Sequence, residues 1–142
     1  MHDYVVLGFD YGAKRIGVAV GQTLTCTATP VAVAAVRRNS PDWLVIDRVC
    51  REYEPDAFIV GMPRHADGSD HSLAPRIRGF ATALGTRYGL PVHFVDERLS
   101  SHAARERTTD VAAIDAVAAQ VIVETWLGEQ RPSAPASARD GA

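Results

Sequence analysis

Lysine is almost missing from this chain of 142 residues. Lys14 stands alone among 15 basic residues, and the rest are arginine. Heavy Arg and Ala usage is a genome-composition effect and says little about function, but it makes the placement of Lys14 worth noting. An excess of positive charge is missing too. The formal net charge of −2 excludes a protein that coats nucleic acid by bulk electrostatics. It does not exclude a nuclease, because clustered metal-binding carboxylates push the count negative. Cysteine is scarce: Cys26 and Cys50 are far apart and lack metal-type spacing, which fits a reducing cytosol better than a disulfide framework. No apolar run approaches the length of a membrane span. No basic segment followed by a long apolar one opens the chain. The expectation is a cytoplasmic protein with no membrane partner.

What remains is a globular composition, 46% apolar and 23% charged, with enough residues for one compact domain with a real core. Tyr4 to Phe9 and Arg15 to Gly21 are two β-like runs around a Gly-containing turn. Ala28 to Val36 is a third, ended by Arg37 and Arg38. Ser40-Pro41-Asp42 reads as an N-cap with Pro at the first helical position. Trp43, Ile46, Val49, Cys50 and Tyr53 then recur at helical spacing up to Pro55. Asp56 to Gly61 is a short, nearly all-apolar strand of the kind covered on both faces. Leu73, Ile77, Phe80, Ala81, Leu84 and Tyr88 trace one face of a long helix, and Gly89 suits its C-terminal cap. Pro91 to Val95 reads as another buried strand. Leu99 to Arg107 has room for a helical turn or two. Asp110 can cap a last helix, with Ile114, Val117, Ala118, Val121, Ile122 and Thr125 inward. Residues 129–142 read as a disordered tail, which leaves a domain over residues 1–128. The order βββ-α-β-α-β-α predicts an α/β fold. Its mixed five-stranded sheet has three antiparallel strands, then parallel strands, with helices on both faces.

Ligands gather at the carboxyl ends of parallel strands in open α/β sheets. Asp10 ends the first strand, and Glu97 sits just past the last. Asp115 lies near the start of the final helix, where the small Ala118 and Ala119 would let that helix approach the sheet. Each acid alone has a blander reading: a turn residue for Asp10, surface charge for Glu97, a solvated helix position for Asp115. Their conjunction points to chemistry. Three converging carboxylates repel one another, and without a cation at least one would hold a proton. Hard divalent ions such as Mg²⁺ or Mn²⁺ turn that repulsion into ligation. Two such ions roughly 4 Å apart can stabilise both the attacking and the leaving oxygen in phosphodiester cleavage. The nucleophile expected is water, not a side chain.

The residues Gly8-Phe9-Asp10-Tyr11-Gly12-Ala13-Lys14-Arg15-Ile16-Gly17-Val18-Ala19 resemble the opening motif of the YqgF/RuvX family. That family is described as Holliday junction resolvases and as pre-16S rRNA processing nucleases. Three further segments agree in the family's order: Val60-Gly61-Met62-Pro63 with Asp67-Gly68-Ser69, then Val95 to Ser101, then Ile114 to Ala119. The similarity covers about residues 4 to 128. It implies an RNase H-like fold, and Asp10, Glu97 and Asp115 as an acidic triad binding Mg²⁺ or Mn²⁺. Lys14, Arg15 and Arg98 match basic positions of the family and are expected on substrate phosphates, where a cation adds affinity without base specificity. Gly12 and Gly17 are expected to serve backbone geometry. The implied partners are RNA, pre-16S rRNA within pre-ribosomal particles, and branched DNA. The stretch from Glu97 to Asp115 is shorter than is usual in the family, and Arg105 and Arg107 are its only cations besides Arg98.

Three other readings bear on the same residues. The strand-Asp-x-Gly-strand opening also resembles the phosphate loop of actin-like sugar kinases and chaperone ATPases. Those need a second similar domain, which 142 residues do not supply. A non-catalytic RNA-binding domain would gain nothing from mutually repelling carboxylates. A Holliday junction resolvase is the alternative enzyme, and it would act as a dimer to cut two strands symmetrically.

Overall fold

The structure is a computed structural model, which describes residues 4–63, 72–96 and 111–130. The described residues form a six-stranded mixed sheet between helices. β1 (Val5–Tyr11), β2 (Arg15–Gln22) and β3 (Thr27–Arg37) make an antiparallel meander. β4 (Ser40–Pro41) adds a two-residue edge, and α1 (Trp43–Tyr53) follows. β5 (Ala57–Met62), α2 (Ala74–Tyr88), β6 (Val92–Asp96) and α3 (Val111–Gln130) complete the described chain. The strand order is β4-β3-β2-β1-β5-β6, with β5 parallel to β1 and β6 parallel to β5. The expected meander followed by parallel additions is therefore present. The two parallel strands lie on the far side of β1, so β1 is central.

The sheet has six strands rather than five because Ser40 and Pro41 pair with Arg37 and Val36 instead of opening the helix. Arg38 and Asn39 both take positive φ, 54° and 63°, as a two-residue hairpin turn that matches strand twist requires. Asp42 is the actual N-cap, and its Oδ1 accepts from the Leu44 N–H at 3.2 Å. The turn carries no glycine, so the usual hairpin signal was missing.

The core lies in two layers. Leu7, Phe9, Ile16, Val18 and Phe58 face α1 and α2, packing on Ile46, Ile77, Phe80 and Leu84. Val6, Ala19, Ala57, Ile59 and Val95 face α3, packing on Ala119, Ile122, Val123, Trp126 and Leu127. All six residues of β5 are buried, as its apolar run implies. The expectation of a second buried strand at Pro91–Val95 is corrected. β6 is the sheet edge, Val95 is its one buried residue, and Phe94 is 47% exposed. The expected inner face of the last helix is also corrected at Thr125, which is exposed and donates its hydroxyl to the Val121 carbonyl at 2.9 Å. The helix is apolar on nearly every side, so spacing alone could not orient it. Gly8 and Gly21 decide its orientation by receiving Val123: a Cβ at either would lie 2.2 or 2.3 Å from its methyls. α3 runs to Gln130, past the expected start of the tail at Glu129. The cap expected at Asp110, the segment Leu99–Arg107 and residues 131–142 lie outside the described residues. Among the described residues, no helix is long and apolar enough to cross a membrane.

Candidate nuclease site

Asp10 is the sixth residue of β1, half-buried, and its cross-strand partner on β2 is Gly17. Side chains alternate along a strand. Leu7, Phe9 and Tyr11 belong to the α1/α2 layer and Val6 to the α3 layer, so Asp10 faces α3. Gly17 is where α3 comes closest: a Cβ there would lie 1.8 Å from the Asp115 carbonyl oxygen and 2.7 Å from the Ala116 nitrogen. Those are backbone atoms and cannot swing away. Fully buried Ala118 and Ala119 continue the close approach one turn on. The glycine opposite Asp10 thus seats the helix at Asp115 and brings that turn of α3 against the β1–β2 pair that carries Asp10.

Asp115 already has a cationic partner. The Arg15 Nε donates to its Oδ2 at 2.6 Å, with side chains 47% and 21% exposed respectively. That hydrogen bond, and the carboxylate's charge, raise the Arg15 guanidinium above its ordinary value, so it stays charged. Arg15 is therefore placed on a candidate metal ligand, whereas the sequence alone assigned it to substrate phosphate. A guanidinium with five N–H donors can serve both. Lys14 is exposed in the β1–β2 turn, and its carbonyl accepts from the Val36 N–H at 2.9 Å. Gly12 tightens that turn by donating to the Arg15 carbonyl, also at 2.9 Å.

β6 ends at Asp96, level with Met62 at the end of β5. Glu97 and Arg98 come next in the chain and lie outside the described residues. Among the described residues no group of three His, Cys, Asp or Glu side chains forms a metal cluster. The described pair, Asp10 and Asp115, offers hard carboxylate oxygens, the donor type that suits Mg²⁺ or Mn²⁺. One polar residue near this edge escaped the sequence reading altogether. Arg76 on α2 lies beside the apolar stripe of Leu73, Ile77 and Phe80, and nothing in that spacing distinguished it from a surface arginine.

The meander, the parallel additions and the helix seated on the glycine opposite Asp10 define an RNase H-like fold. Solved structures agree at the level of fold. Thermus thermophilus RuvC in complex with a Holliday junction substrate has TM-score 0.53 and 17% identity, covering 89% of this chain and 95% of that one. The fowlpox virus resolvase in complex with Holliday junction DNA has TM-score 0.54 and 12% identity, covering 88% and 97%. Residues 4–129 match the RuvX family, described as Holliday junction resolvase. The chain belongs to that family, whose described activity is that of a nuclease. A relative from Hydrogenovibrio crunogenus is 46% identical over 87% of this chain and 92% of its own length. Another, from Xanthomonas axonopodis pv. citri, is 46% identical over 88% of each. Both are named "Putative pre-16S rRNA nuclease".

Proposed function

We propose that this chain is a metal-dependent nuclease that cleaves RNA phosphodiester bonds in maturation of the 16S rRNA 5′ end, within pre-ribosomal particles of the cytoplasm. The observation that carries the reading is the seating of Asp115 against the strand position opposite Asp10, made possible by Gly17. The names of the relatives, pre-16S rRNA nucleases, support RNA as the substrate. Asp10, Asp115 and Glu97 are the residues that would hold Mg²⁺ or Mn²⁺; Val95 faces the same helix, and Glu97 follows it by two positions. Bound there, one or two such ions would stabilise the charge that develops on the attacking and leaving oxygens. Arg15 orients the Asp115 carboxylate and neutralises part of the acidic charge before an ion arrives. Lys14 and Arg98 contribute phosphate contacts.

The test is cleavage of single-stranded RNA and of four-way DNA junctions with Mg²⁺ or Mn²⁺, against EDTA. RNA is cut only with metal, and Asp10→Asn, Glu97→Gln and Asp115→Asn each lower the rate at least about a hundredfold, the scale of removing one charge-stabilising group. If wild type cuts neither substrate, or Asp10→Asn cuts as well as wild type, the catalytic assignment fails. The family's description favours a second reading, a junction resolvase. Junction cleavage that outpaces RNA cleavage selects it.

A further inference from the structure

The carboxyl edge of β1 has a second side. Asp10 faces α3, and the next residue, Tyr11, faces α1 and α2. There Tyr11, Asn39, Trp43, Arg76 and Phe80 line a cavity of about 320 Å³, space for roughly ten waters. Its walls are aromatic: Trp43 and Phe80 stack with ring centroids 5.7 Å apart, and Tyr11 lies 5.2 Å from Phe80. Among the described residues its one charged lining residue is Arg76, whose guanidinium carbon sits 5.9 Å from the centre of the Tyr11 ring.

The Nε and one terminal nitrogen of Arg76 are buried and have no hydrogen-bond partner among the described residues. Buried donors are nearly always paired, and among the described residues no carboxylate lines the cavity to pair these. Arg87, near the other end of α2, is treated differently. It spans Asp47 through its Nε at 3.2 Å and its Nη2 at 2.9 Å. A planar fork with free donors beside aromatic rings matches a phosphate joined to a base or sugar. The volume holds more than a phosphate and far less than a duplex.

We propose that this cavity receives one nucleotide of a single-stranded stretch of the substrate, with its phosphate on Arg76 and its base or sugar against the Tyr11–Trp43–Phe80 wall. The proposal rests on the nuclease reading above. A strand crossing the carboxyl edge of β1 would meet Arg76 on one side of the sheet and the acidic pair on the other. The cavity thereby favours unpaired substrate over duplex.

Binding of a short fluorescent single-stranded RNA, followed by anisotropy in EDTA so that nothing is cleaved, tests this. Arg76→Gln weakens binding about tenfold, as loss of a charge-assisted contact predicts. It also lowers the slope of log affinity against log salt by about 0.7, one phosphate's worth. Arg76→Lys recovers part of the affinity. Trp43 supplies an independent readout: in a Trp126→Phe background it is the sole tryptophan, and saturating RNA changes its emission. That change is absent in Trp126→Phe/Arg76→Gln at the same RNA concentration. Thermal unfolding checks that each variant is folded. If folded Arg76→Gln binds within twofold of wild type with an unchanged salt slope, or Trp43 emission ignores saturating RNA, the cavity is not a substrate site. If inorganic phosphate or a free mononucleotide binds as tightly as the oligonucleotide, the substrate-strand assignment falls in favour of a small-anion site. If wild type binds RNA but gains nothing from Arg76, this proposal alone fails. If wild type binds no RNA, the nuclease reading fails with it.

Discussion

Gly17 is the residue on which the proposed pairing of Asp10 with Asp115 depends, although it has no chemistry of its own. Alanine there places a methyl 1.8 Å from a helix carbonyl, and neither backbone can yield without moving β2 or α3. Gly17→Ala is expected to destabilise the domain by about 3 kcal/mol or more, the upper range for overpacking, seen as a fall in Tm of several degrees. Metal-dependent cleavage should fall further than stability explains, because Asp115 is pushed from Asp10. Gly128→Ala is the control. It lies on the same helix with nothing within 4 Å of its would-be Cβ, so the change stabilises by up to about 1 kcal/mol through helix propensity. Equal Tm for Gly17→Ala and wild type would show that the close approach is not there. The spacing of Asp10, Glu97 and Asp115 could be read from the chain, and so could a backbone role for Gly17. The reason for that role could not, since it depends on which helix turn lands on the glycine. Arg76 was illegible for a related cause: an unpaired donor exists only in three dimensions.

Among the elements, most of the fold followed from periodicity, and the departures share one origin. The meander, α1, α2 with its Gly89 cap in the left-handed region at φ 68°, and β5 all follow local pattern. β4 departed because its turn uses Arg38-Asn39 where sequence rules look for glycine. β6 and α3 departed because apolar residues alone do not say which element covers them. α1 and α2 are also tied outside the core. Asp47 on α1 accepts from Arg87 and from the Tyr88 hydroxyl on α2. Those hydrogen bonds, Arg87's first, hold the Asp47 carboxyl below its ordinary value. A lowered carboxylate pKa gives stability that is present above the unfolded value near 4 and lost as pH falls through the folded one. Arg87 is 44% exposed, so solvent screening keeps the tie weak. Asp47→Asn should therefore unfold at a lower temperature than wild type at pH 6, with the gap narrowing as the pH is lowered past the unfolded value near 4 and the carboxyl protonates. A gap that stays the same across that acid titration would mean that packing rather than charge links the helices.

For the whole molecule, a net charge of −2 means that attraction to a polyanion must be local. Lys14, at an exposed turn beside the acidic edge, is a test of that. Lys14→Ala should weaken single-stranded RNA binding more at 50 mM than at 500 mM salt, since a phosphate contact gains its strength by releasing counterions. An equal loss at both would remove Lys14 from the substrate surface. The Arg15–Asp115 contact has a consequence of another kind, because it joins residues 100 positions apart. β1 and β2 can pair as soon as they leave the ribosome, but the acidic pair closes only when the last helix has been made and docked. Closing so long a loop is entropically expensive and comes late. A truncated or half-synthesised copy thus carries the first acid without its partner. On the proposed reading the site is complete only when the fold is, so a chain still being made carries no assembled nuclease centre.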